Sequence, residues 1–322
     1  MAIRLILLIA AIACLTSCGN KHPLPDGLVS RMADHKIFEY EVTGLMADTS
    51  EQWRRYDSLL AGSTAEYLIK LCDHESPVIR SYAFLGLIDK KSTAIFTVLK
   101  RRINDAALFT RDIGCFSDPC SVSDFYLSNV GYYHNDSSSS YRINAQQRVL
   151  LDSLMLFGNE LVLRRENYNA SLLYSRAYML EHIPSNPSYY KRLKEIAAAG
   201  VIEALPALAK FQNKDDIPLI KKVYETEGSI GNGFVFKAIT NFPHPDLFPI
   251  VEQEIGNSLM HDDYSGTSPY LYYQALVQYK TQRTRALLMR AMSKTEREDQ
   301  QRLVRNIRYL LSKNPDKIFE GL

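Results

Sequence analysis

Four short clusters hold residue types from which chemistry is built. Cys115-Phe116-Ser117-Asp118-Pro119-Cys120 brackets a proline with two thiols. That spacing suits a short disulfide or a pair of buried free thiols. With His134 it makes two Cys and one His, fewer ligands than a structural zinc takes. His261-Asp262-Asp263-Tyr264 sets an imidazole beside two carboxylates. Metal binding or acid–base work there needs groups converging from elsewhere, and the plainer reading is a loop before Ser268. Gly228-Ser229-Ile230-Gly231-Asn232-Gly233 precedes a helical pattern, as anion cradles do, but no strand leads into it, so a linker between helices is expected. Glu252 and Glu254 point to different sides of one helix and form no carboxylate pair. His244, between two prolines, reads as a turn residue. The chain carries no Gly-x-x-x-x-Gly-Lys-Ser/Thr, no His-Glu-x-x-His and no Gly-x-Ser-x-Gly. No catalytic residue, metal site or cofactor is therefore assigned, and a non-enzyme is expected.

The fourth cluster is amino-terminal. Arg4 precedes an apolar run, Leu5 to Ala13, that is too short to span a bilayer stably and ends in Leu15-Thr16-Ser17-Cys18. An apolar residue, two small ones and a Cys resemble the lipobox of bacterial lipoproteins. The resemblance implies cleavage after residue 17, a diacylated thiol at Cys18 and an acylated new amine, so that the lipid bilayer is the first partner. It also implies a place in the bacterial cell envelope. Gly19, where Asp commonly retains a lipoprotein at the inner membrane, favours the outer membrane, facing the periplasm. Asn20 to Gly27, with Pro23 and Pro25, reads as a tether. An exported chain meets an oxidising compartment, and a Cys115–Cys120 disulfide is expected on that ground, with Cys72 buried on a helix stripe.

Composition narrows the rest. With 38 basic and 36 acidic residues in 322, charge is nearly balanced, which argues against nucleic acid as a partner. An apolar content of 46% is ordinary for a globular chain, and the 20 tyrosines suit helix packing with wet hydroxyls.

The elements that must position any site read as helices. Ser50 caps a helix through Trp53, Tyr56 and Leu59. Ala65, Leu68, Ile69 and Cys72 form one stripe of the next. Ser76 and Pro77 open a third as N-cap and first residue, with Ile79, Ala83, Gly86 and Leu87 on one side. The segment 106–144 breaks the pattern, apart from a short helix at Val122–Val130 whose Ser121 and Asp124 have capping-box spacing. Helical pairs resume after it. Val201–Phe211 is expected to pair with Ile217–Tyr224, and Phe234–Phe242 with Leu247–Ile255. Asp57-Ser58-Leu59 and Asp152-Ser153-Leu154 resemble an O-glycosylation tripeptide, but helix surface is the default reading. Ala177, Ala209, Ala238 and Ala275 recur at spacings of 32, 29 and 37, as stacked helix pairs do.

Ser76-Pro77-Val78-Ile79-Arg80, and in part Ser268-Pro269, resemble the start of the second helix in HEAT repeats. The fold class this implies is all-α: an α-solenoid of antiparallel helix hairpins with an irregular insertion. The expected division is a signal peptide at 1–17, a tether and N-terminal segment at 18–48, helical repeats at 49–105, the insertion at 106–144, and repeats with a capping helix at 145–322. Stacked pairs offer an extended surface rather than a deep pocket. The expected role is a membrane-anchored scaffold for unidentified envelope proteins, with Arg80 and Tyr273 as candidate surface contacts. The alternative is a cell-envelope enzyme, of the glycan or cell-wall hydrolase type, with a site formed by 106–144.

Overall fold

The computed structural model describes residues 27–43, 48–114, 116–133, 140–158, 170–261, 268–293 and 297–322. The lipobox, most of the tether, Cys115, His134 and Asp262-Asp263 lie outside the described residues. The chain is mostly helical with a small mixed sheet, and it divides into two compact units at Val149/Leu150.

The first unit opens with α1 (Leu28–His35), β1 (Ile37–Thr43), the two-residue β2 (Asp48–Thr49) and α2 (Glu51–Gly62). Then come α3 (Ala65–Leu71), α4 (Pro77–Asp89), α5 (Ile95–Arg101), β3 (Leu108–Gly114), β4 (Phe116–Ser121) and α6 (Val122–Asn129). The sheet runs β2-β1-β3-β4, with β1 parallel to β3 and the other pairs antiparallel. This corrects the all-α expectation. Residues 106–144 hold a β-hairpin and a helix, and β1 lies in a stretch without helical pattern. The cause is visible in Ile37-Phe38-Glu39-Tyr40-Glu41-Val42, which alternates with the period of a strand, not of a helix. Pro119 is tolerated because β4 is an edge strand.

Local capping follows the residue types. Ser50 Oγ accepts from Trp53 N at 2.9 Å, and Ser121 Oγ accepts from Asp124 N at 3.0 Å. Ser76 and Pro77 take the N-cap and first positions of α4 as expected, but the Ser76 side chain makes no capping hydrogen bond. Gly86 lets α3 approach α4: a Cβ there would sit 3.1 Å from Leu68 Cδ1. One face of the sheet packs on the helices, with Phe38 stacked on Tyr82 at 4.2 Å and tilted against Phe125 at 4.7 Å between ring centroids.

α4 is buried on nearly every side, because α1, α3, α5, α6 and the sheet all pack against it. Arg80, expected at the surface, is therefore only 7% exposed.

The boundary between units falls within α7 (Ala145–Phe157). The second unit continues with α8 (Ala170–His182), α9 (Tyr190–Ala198), α10 (Leu205–Ala209) and α11 (Ile217–Asn241). It ends with α12 (Phe248–His261), α13 (Ser268–Leu276), α14 (Gln282–Met292) and α15 (Glu298–Lys313). α8 packs on α10, α10 on α11, α11 on α13, and α13 on α15. Ala177, Ala209, Ala238 and Ala275 lie on the first four helices of that succession. α9, α11 and α12 each follow a single 3-10 turn of one build. Asn186, Asn213 and His244 accept the backbone N–H two residues on, at 3.0, 3.0 and 3.2 Å.

Two further expectations are corrected here. The glycine-rich stretch is no linker, because α11 runs 25 residues straight through it. Each glycine costs a helix roughly 1 kcal/mol. Buried Ile220 and Val223 on one side and Val235, Phe236, Ala238 and Ile239 on the other hold the helix against that cost. Tyr273 is 0% exposed, because α11, α12 and α15 close around α13.

Candidate functional site

The second unit carries a groove of about 400 Å³ whose walls come from four separate stretches of chain. α8 contributes Glu181, the end of α10 Lys210, α11 Lys237 and Asn241, and α13 Tyr270 and Gln274. Lys237 Nζ lies 2.7 Å from Glu181 Oε1 and 5.8 Å from the centre of the Phe234 ring. Lys210 Nζ donates to the carbonyls of Glu181 and Ile183, both at 3.0 Å. Those carbonyls end α8, where a cation meets the negative end of the helix dipole. Burial pushes the Lys210 ammonium below its usual range, with Glu181 opposing the shift. Asn241 Nδ2 donates to Pro206 O at 2.8 Å, joining α11 to α10.

Two ammoniums face one carboxylate in this groove, and amide and phenol groups surround them. These groups can engage a ligand by charge and by hydrogen bonding. Sequence reading passed over Lys210 and Lys237. A signal was present, since Lys210 follows Ala209 and Lys237 precedes Ala238, the small residues where neighbouring helices meet.

The first unit has a groove of about 510 Å³ at the start of α4, with Asp34, Lys36, Glu75 and Ser76 on its polar side and Leu108 and Phe109 on its apolar side. Behind it lies a buried ionic cluster. Arg80 donates to the carbonyls of His74 and Glu75 at 2.7 and 2.9 Å, and its Nε sits 2.9 Å from Asp105 Oδ2. Tyr126 OH donates to the Arg80 carbonyl at 3.0 Å. Arg80 thus ties the turn before α4 to the segment after α5, which is a structural use of the residue, not an exposed contact.

Cys72 and Cys120 are free, buried thiols, each pushed up to about 12 by burial. Such thiols are inert at neutral pH. The expected partner of Cys120 in a disulfide, Cys115, lies outside the described residues. Asp118 is bound by Arg111 through two bonds of 3.0 and 2.7 Å. Asp118 and Cys120 lie two residues apart on β4, while His134 lies outside the described residues. Among the described residues no group of three His, Cys, Asp or Glu is placed to hold a metal ion, and no helix is long and apolar enough to cross a membrane. The chain matches no known family, curated protein or solved structure in comparison.

Proposed function

We propose that this chain is a lipid-anchored, non-enzymatic interaction protein of the bacterial cell envelope, held at the outer membrane and facing the periplasm. Anchoring rests on Leu15-Thr16-Ser17-Cys18 after a short apolar run, with acyl chains on Cys18. We read the helix pairs of the second unit as HEAT-like and solenoidal, and the partner as another envelope protein. The observation that carries the interaction reading is the groove. Glu181, Lys210, Lys237 and Tyr270 reach it from four helices that pack in succession. A surface assembled this way offers an extended partner several contacts in a row. Its excess of one positive charge favours a segment with acidic side chains.

The test is crosslinking in intact cells followed by recovery of the chain from detergent-solubilised membranes. Lys237→Glu reverses a half-exposed charge and leaves the core untouched, so the variant is expected to fold. Recovery of any specific partner should fall about tenfold, the loss of one well-placed charged contact. Equal recovery by wild type and Lys237→Glu would remove the groove from the account.

A further inference from the structure

The β3–β4 hairpin changes character along its length. On one face the cross-strand pairs are Phe109 with Cys120, Arg111 with Asp118, and Ile113 with Phe116. The first pair is buried under the helices and the second is an ion pair. The third is open, with Ile113 45% and Phe116 75% exposed. Val42, at the end of β1 where Thr43 pairs with Gly114, is 45% exposed as well. A sheet face that packs a core at its base thus presents bare apolar side chains at its tip.

The amino-terminal entry and that tip belong to one unit. Gln52 Nε2 donates to Met32 O at 2.8 Å, and Ser50, two residues earlier, donates its N–H to Glu41 O at 3.1 Å. The start of α2 therefore bridges the middle of α1 and the later part of β1. Gly27, just before α1, belongs to the same compact unit as the hairpin. From Cys18 to Gly27 the covalent reach is at most about 30 Å.

We propose that the hairpin tip, through Ile113 and Phe116, enters the interfacial layer of the bilayer to which Cys18 ties the chain. The proposal rests on the anchoring reading above. Charge offers no attraction to an anionic surface: residues 112–118 contain no basic side chain, Arg111 is paired with Asp118, and Asp112, which accepts from Ser117 Oγ, leaves the tip one negative charge. The contact is therefore apolar. A second copy of the chain is the weaker occupant. Two or three side chains cover a few hundred Å² at most, whereas a stable interface buries on the order of 1,000 Å² or more. A bilayer takes an isolated Phe and Ile without needing a complementary surface.

The experiment uses the full acylated chain with Phe116→Trp, purified from membranes and reconstituted into phosphatidylcholine vesicles with plain or brominated acyl chains. Emission from Trp53 is subtracted with the wild-type protein. The indole at position 116 should shift to shorter wavelength on reconstitution and lose intensity to the brominated chains. Replacing part of the lipid by phosphatidylglycerol should not strengthen the loss. Ile113→Trp, on the facing strand, should behave alike. Acylation is read first, from the mass of the amino-terminal fragment. A chain without acyl groups sinks the anchoring reading itself. An acylated chain whose added indole emits equally in both vesicles overturns the hairpin proposal and leaves anchoring intact. A dimer in detergent that Phe116→Ser dissociates would also overturn it, in favour of the second copy.

Discussion

Phe125→Ala is expected to destabilise the first unit by about 3–5 kcal/mol, the usual cost of deleting a large buried aromatic. Phe125 is fully buried on α6, with its ring centroid 4.7 Å from Phe38 and 5.8 Å from Phe109. It is thus where β1, β3 and α6 meet, and removing the ring leaves a void that none of the three can fill alone. The probe is built in. Trp53 is the single tryptophan, and it packs on Tyr56 at 4.8 Å within the same unit. Its emission during urea unfolding reports this unit, and its midpoint should fall to markedly lower denaturant. An unchanged midpoint would mean that the sheet does not pack on α6 as described.

Arg80→Ala should cost a similar amount, about 3–5 kcal/mol, because it leaves a charge buried without its partner. Asp105 would retain Arg102, 3.6 Å away, and the Ala107 N–H at 3.3 Å, and the carbonyls of His74 and Glu75 would each lose a donor. The residual pairing with Arg102 puts the expected loss toward the lower end. Replacing both members by apolar residues, Arg80→Met with Asp105→Leu, should cost much less than the sum of the single changes. The same Trp53 transition measures all three variants. A cost for Arg80→Ala below about 1 kcal/mol, the range of exposed pairs, would mean that Arg80 is at the surface after all.

The contrast between Arg80 and its neighbours shows where sequence reading succeeds. Ser50 and Ser121 cap their helices as their types dictate, because a cap is decided within three or four residues, and Pro77 opens α4 although the Ser76 side chain makes no capping bond. The stripe Ile79, Ala83, Leu87 is also buried as expected. What the stripe does not say is whether the opposite side is free. Placing Arg80 and Tyr273 at a surface rests on that premise, and both are enclosed by elements distant in sequence. The glycine-rich part of α11 fails for the same reason: local propensity argues for a break, and packing at both ends of the helix overrides it. The strand alternation from Ile37 to Val42 was legible but brief. Arg111 and Asp118 hide the pattern in β3 and β4, because their charges pair with each other across the hairpin. The groove depended on the order in which four helices pack. Of this, only the recurrence of Ala177, Ala209, Ala238 and Ala275 was written in the sequence.

Lipid anchoring is the claim on which both the envelope role and the hairpin proposal stand, and one mass measurement tests it most directly. The full chain is expressed in a Gram-negative host, recovered from the membrane pellet and digested, and the amino-terminal fragment is weighed. A fragment that begins at Cys18 and carries a diacylglyceryl group and an amide-linked acyl chain is the expected result, with Cys18→Ala absent from the pellet. A fragment that begins elsewhere, or that carries Cys18 as a free thiol, would contradict the account.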